Sequence, residues 1–157
     1  MNKNVVKKIL IFTSIFAIGL YGYYMKTRPS LATLGVEPDN ELLLYFMETH
    51  PDNKVILCGY EDLNDDGRKD LLVIYEEGRR KNAMLVVLDN EEGIKLTDHI
   101  QAPVENQEIK FKDIDKTGPI EFIVSGSKDG NYGYAIFRLI DDWELKNLFG
   151  DGMEDCC

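Results

Sequence analysis

The sequence predicts a mainly β fold: an antiparallel sheet of two repeated strand-loop-strand units, preceded by a short helix and an N-terminal hydrophobic helix. Three observations predict it. From Lys54 onward, short β-branched and aliphatic runs alternate with Gly, Asn and Asp, the pattern of strands and turns. An acidic loop and apolar run, Asp62-Leu-Asn-Asp-Asp-Gly-Arg-Lys-Asp70 then Leu71-Leu-Val-Ile-Tyr75, recurs as Asp113-Ile-Asp-Lys-Thr-Gly-Pro-Ile-Glu121 then Phe122-Ile-Val-Ser125. The later segments 83–89 and 135–141 also resemble one another. Two copies of one supersecondary unit, at 54–100 and 107–149, account for this. Each unit is expected to be like a propeller blade, but two fall short of the roughly four to eight blades that close a propeller.

The segments ahead of the sheet follow from charge and hydropathy. Residues 1–25 carry Lys3, Lys7 and Lys8, no acidic residue, and then an apolar run over 9–25 ending in Tyr21, Tyr23 and Tyr24. This is the pattern of a signal anchor or transmembrane helix, with a cleaved export signal as the alternative. The run is at the short end of the roughly 17 to 25 residues that span a bilayer, and its tyrosines suit the membrane interface. The expected location is therefore the cell membrane, single-pass, with the body extracytoplasmic, or secreted if the signal is cleaved. Residues 26–38, with Pro29, Ser30, Gly35 and Pro38, read as a linker. Asp39 or Asn40 can then cap a helix over Glu41–Thr49, which Pro51 helps to end.

The chain carries a net charge of −10, and its first 25 residues contribute only lysines to that balance. The body is thus more acidic still, which argues against nucleic acid or anionic lipid as its partner and favours cations. The loop Asp62-x-Asn64-x-Asp66-Gly67-x-x-Asp70 places oxygen side chains at alternate positions, then a glycine for the sharp turn, then another carboxylate. Calcium takes about six to eight oxygen ligands, and the backbone carbonyl of Arg68 can join Asp62, Asn64, Asp66 and Asp70 in supplying them. The loop resembles the calcium loop of FG-GAP or VCBS repeats, which joins two strands. An Asn/Asp-rich β-turn is the plain alternative. In the second copy Asp113, Asp115 and Glu121 form a weaker cation site, because Thr117 replaces one oxygen ligand.

Residues 39–149 then form the β-rich domain, and 150–157 read as a flexible acidic tail ending in Cys156 and Cys157. With Gly150 and Gly152 in that tail, both thiols are expected to be exposed, and Glu154 and Asp155 to disfavour thiolate formation. A vicinal pair of soft sulfurs suits thiophilic metals. Cys58, the third cysteine, sits in a strand pattern with Ile56 on the same face and reads as a small buried hydrophobe. His50 and His99 read as surface residues, and Trp143 as packing the final strand.

The N-terminal hydrophobic segment, an extracytoplasmic domain of this size and the Cys156-Cys157 ending together resemble the Cys-Cys-COOH (seleno)protein family, SaoC, of the selenocysteine-assisted organometallic metabolism system. In its selenoprotein members the last residue is selenocysteine; here it is Cys157. The resemblance implies capture or transfer of a thiophilic metal or organometal such as mercury by Cys156 and Cys157. As partners it implies the membrane, through residues 9–25, a membrane transporter and an organometal-cleaving enzyme. Expected, then, is a metal-binding or accessory protein with no assigned catalytic residue, calcium as a structural ion and mercury as cargo. A thiol-disulfide redox protein and a calcium-stabilised adhesion or interaction module stay open as alternatives.

Overall fold

The computed structural model describes residues 34–141 and 143–157. The expected membrane helix over 9–25 and most of the linker lie outside the described residues. Among the described residues no helix is long and apolar enough to cross a membrane.

Helix α1 runs Glu41–Thr49, with Asn40 as its cap: the Asn40 Oδ1 accepts the Leu43 N–H at 3.0 Å. Glu41 in the first turn complements the helix dipole. Leu42, Leu43 and Phe46 share one apolar stripe and are buried. At the other end the His50 ring stacks on Phe46, 4.7 Å between centroids.

Nine strands follow: β1 (Lys54–Glu61), β2 (Asp70–Gly78), β3 (Lys81–Asn90), β4 (Gly93–Leu96), β5 (Ile100–Ala102), β6 (Glu105–Lys112), β7 (Glu121–Lys128), β8 (Asn131–Ile140) and β9 (Glu144–Asp151). They form two antiparallel sheets instead of one, the first from strands within 54–102 and the second from strands within 105–151. The first has the order β1-β2-β3-β4, with β5 also pairing to β3; the second has the order β6-β7-β8-β9.

Alternation decides how the layers stack. Leu72 and Ile74 of β2 with Met84, Val86 and Leu88 of β3 face the second sheet, meeting Phe122 and Val124 of β7 and Ala135, Phe137 and Leu139 of β8. The opposite side chains of the same strands, Leu71, Val73, Tyr75, Leu85 and Val87, pack under Leu42, Leu43 and Phe46 of α1. Strands β2 and β3 are therefore buried on both faces, which explains their unbroken apolar runs. In β8 buried and half-exposed residues alternate, because only one face of the second sheet is covered.

The two acidic loops share one hydrogen bond. Asp70 accepts the Leu63 N–H and Glu121 accepts the Ile114 N–H, each across the same seven-residue span. Under that correspondence Leu72 matches Ile123, yet Leu72 is buried between the sheets and Ile123 is half-exposed on the outer side. The residue that matches Leu71, Phe122, takes the inner position instead. The two sheets thus stack head to tail.

Two local expectations are corrected. Ile56 packs between the sheets, whereas Cys58 packs on the α1 side; the pairing register shifts between Val55 and Leu57, and that bulge breaks the alternation. Trp143 lies in the turn before β9 and is 55% exposed, so it does not pack the strand.

If α1 holds the outer face of the first sheet, Phe46→Ala should lower unfolding free energy by about 3–5 kcal/mol. Leu44→Ala, on the exposed side of the same helix, should change it by no more than about 0.5 kcal/mol. Urea denaturation of the two variants checks the contrast.

Candidate functional site

The first acidic loop, between β1 and β2, is closed by its own side chains. Asp62 accepts the N–H groups of Gly67 at 2.9 Å and Asp66 at 3.2 Å, and Asp66 accepts that of Arg68 at 2.8 Å. Asn64 donates to Asp66 and reaches Asn90. Asp70 lies beneath, fully buried, its two oxygens accepting the Leu63 and Asp89 N–H groups at 2.9 and 3.0 Å. Burial pushes the Asp70 carboxyl up to about 6, against the pull of those two N–H groups. Asp70 therefore acts first as a tie between the loop and β3.

In the second loop, the carboxylate oxygens of Asp113, Asp115 and Glu121 lie within 4.8 Å of one another. Of the two loops it is this one, expected to be the weaker, whose acidic side chains form such a group among the described residues. Its cation is already present. Arg138, from the middle of β8, donates to Asp115 at 2.6 Å and to the buried Glu121 through the same Nη2. Hydrogen bonds from Arg138 and then Thr117 hold the Asp115 carboxyl below the ordinary carboxylate range. Sequence reading missed Arg138, although a lone arginine within Ala135-Ile-Phe-Arg-Leu-Ile140 was a signal that something acidic faced it.

The cysteine pair departs most from expectation. Strand β9 continues through Gly150 to Asp151, and Gly152, at φ 66°, turns the chain into a single helical turn, α2 (Met153–Cys156). The segment is docked: the Cys156 carbonyl accepts the Val104 N–H at 3.2 Å, and Lys128 Nζ donates to the Cys157 carbonyl at 2.6 Å. Cys156 is fully buried, and Cys157 is partly so. The expectation of two exposed thiols on flexible glycines is thus corrected. The physical reason is Gly133 in β8, where a Cβ would stand 2.4 Å from the Gly152 carbonyl oxygen and 2.8 Å from Cys156 Sγ. A bare backbone there makes room for the sulfur.

Cys156 Sγ and Cys157 Sγ are 3.2 Å apart, both free thiols. Burial first, then the neighbouring Cys156, push the Cys157 thiol up to about 12, with Lys128 pulling the other way. The acidic neighbours Glu154 and Asp155 are not the cause. Beside Cys157 opens a cavity of about 300 Å3 lined by Ile100, Phe137, Leu145 and Met153, with Gln101, Asn147 and Glu154 at its polar side. Cys58 packs in the other layer under α1, its thiol also pushed up to about 12 by burial. His99 is exposed 3.5 Å from Glu77. A larger cavity of about 970 Å3 lies along β1 and β6, but no cluster of ligating side chains among the described residues lines it.

No family model, curated protein or solved structure matches this chain. The site is accordingly read from its own atoms.

Two expectations follow. Arg138→Met leaves Glu121 buried without its cation and should cost about 3 kcal/mol, part of which a second change, Glu121→Gln, should restore; urea denaturation of single and double variants measures it. Gly133→Val should unseat the docked turn, so that alkylation of Cys156, followed by peptide mass spectrometry, becomes faster than in the unaltered protein while Cys58 stays protected.

Proposed function

We propose that the protein captures a thiophilic metal ion or organometal through Cys156 and Cys157 and passes it on by exchange of thiolate ligands. The observation that carries this reading is the pair of free sulfurs 3.2 Å apart, docked against β7 and β8. Soft sulfur ligands select soft ions. With its thiol held protonated at neutral pH, Cys157 is a poor nucleophile, which counts against a redox or catalytic role. A thiophilic ion still binds, because the metal–sulfur bond forms as the S–H bond breaks and the proton leaves to solvent.

The body carries this pair outside the cytoplasm, tethered to the cell membrane through residues 9–25, as part of the organometal-handling system that the family resemblance implies. A transporter and an organometal-cleaving enzyme are the natural donors and acceptors of the cargo. Each repeat contributes one blade-like sheet to the scaffold. Calcium at Asp62, Asn64 and Asp66, with the Arg68 carbonyl and Asp70, would stiffen the first loop; oxygen donors of this kind fit a hard cation.

Titrating the full-length chain with Hg(II) beside a variant carrying Cys156→Ser and Cys157→Ser tests the reading. The unaltered chain should bind far more tightly, release at least one proton per ion, and gain affinity as pH rises from about 6 to about 9. Equal affinity in the two proteins would sink the proposal.

A further inference from the structure

Met153 opens the helical turn that Cys156 closes, and residues three apart lie on one face of a helix. Its Sδ is 3.6 Å from Cys156 Sγ, which is itself 3.2 Å from Cys157 Sγ. Met153 and Cys157 also line the same small cavity. Three sulfurs of two chemical kinds are therefore gathered at one spot.

The separations bear on coordination number. With metal–sulfur bonds of about 2.3 Å, a linear dithiolate needs sulfurs about 4.6 Å apart, while a trigonal site needs about 4.0 Å. Both observed distances are nearer the trigonal value, which the sulfurs reach by moving apart about 0.4 Å (Met153–Cys156) and about 0.8 Å (Cys156–Cys157). Adjacent residues on a docked turn would have to open much further to reach a linear arrangement.

We infer that Met153 is the third ligand, so that Met153, Cys156 and Cys157 form a three-sulfur site for a monovalent d10 ion such as Cu(I) or Ag(I). This rests on the dithiol reading above and sharpens it. Thiolate and thioether together are the donor set that selects Cu(I). The two thiols give up their protons to solvent on binding, whereas the thioether donates a lone pair and releases none. Two thiolates and one monovalent ion leave one net negative charge, which Lys128, bonded to the Cys157 carbonyl, is placed to offset. Zinc suits the site less, since it prefers four ligands and no thioether.

The test uses the full-length chain, with Cu(I) presented in competition with a chromophoric chelator, Hg(II) as a second probe, and X-ray absorption to count sulfur neighbours of bound copper. Three sulfurs are expected in the unaltered chain and two in Met153→Leu, which should lose at least about tenfold in Cu(I) affinity while Hg(II) affinity changes little. Cys157→Ser should lose both ions. A count of two sulfurs in the unaltered chain overturns the third ligand and leaves the dithiol reading standing. Failure of the unaltered chain to bind either ion overturns both. Because the sulfur count is read on the unaltered protein, a folding defect in Met153→Leu does not blunt the test.

Discussion

Strands β2 and β3 are apolar on both faces, and covering those two faces is the constraint from which the rest of the architecture follows. Neither face can be left in water: each buries five large side chains of these two strands, and each such side chain is worth about 1.5–3 kcal/mol when removed from solvent. One face takes helix α1, through Leu42, Leu43 and Phe46. The other takes the second sheet, through Phe122, Val124, Phe137 and Leu139. The second sheet is thereby fixed in place, and with it Gly133, the groove that receives Cys156.

Local rules carried the reading of the sequence where partners are close along the chain. Asn40 caps the helix because its side chain reaches an N–H three residues on, and the loops at Asp62 and Asp113 fold through contacts within a few residues. The likeness of the two acidic loops was legible for the same reason, since each closes on its own residues. The separation into two sheets was not, because apolar runs do not say which neighbour covers which face. Ile56 and Cys58 were misassigned to one face by a bulge that shows only in the pairing with β2. The burial of Cys156 depends on Gly133 and Val104, far off in sequence, so reading the segment alone made it a loose tail. Met153 drew no notice for the same reason.

The acidic loops show how one plan is electrically balanced in two ways. In both, a buried carboxylate at the start of the second strand ties the loop down by accepting a backbone N–H. In the second, Arg138 supplies the positive charge that an acidic cluster calls for. In the first, Arg68 stands 3.7 Å from Asp89 at the surface, and Asp62 and Asp66 accept backbone N–H groups of their own loop. A guanidinium on a strand is delivered by folding itself and needs no free ion. The duplicated loop thus has its charge built in where its twin meets solvent.

Head-to-tail stacking of the sheets gives the domain a direction. Corresponding faces point the same way in both units, so the surface that the first sheet lays on the second is matched by one that the second sheet turns outward, where Ile123 and Ile136 are half-exposed and Phe149 is 51% exposed. Helix α1 stops the series at one end, since it occupies the face on which a preceding unit would sit. A polar stack of this kind can be lengthened by duplication at one end only, as a column of identical cups grows at its open mouth.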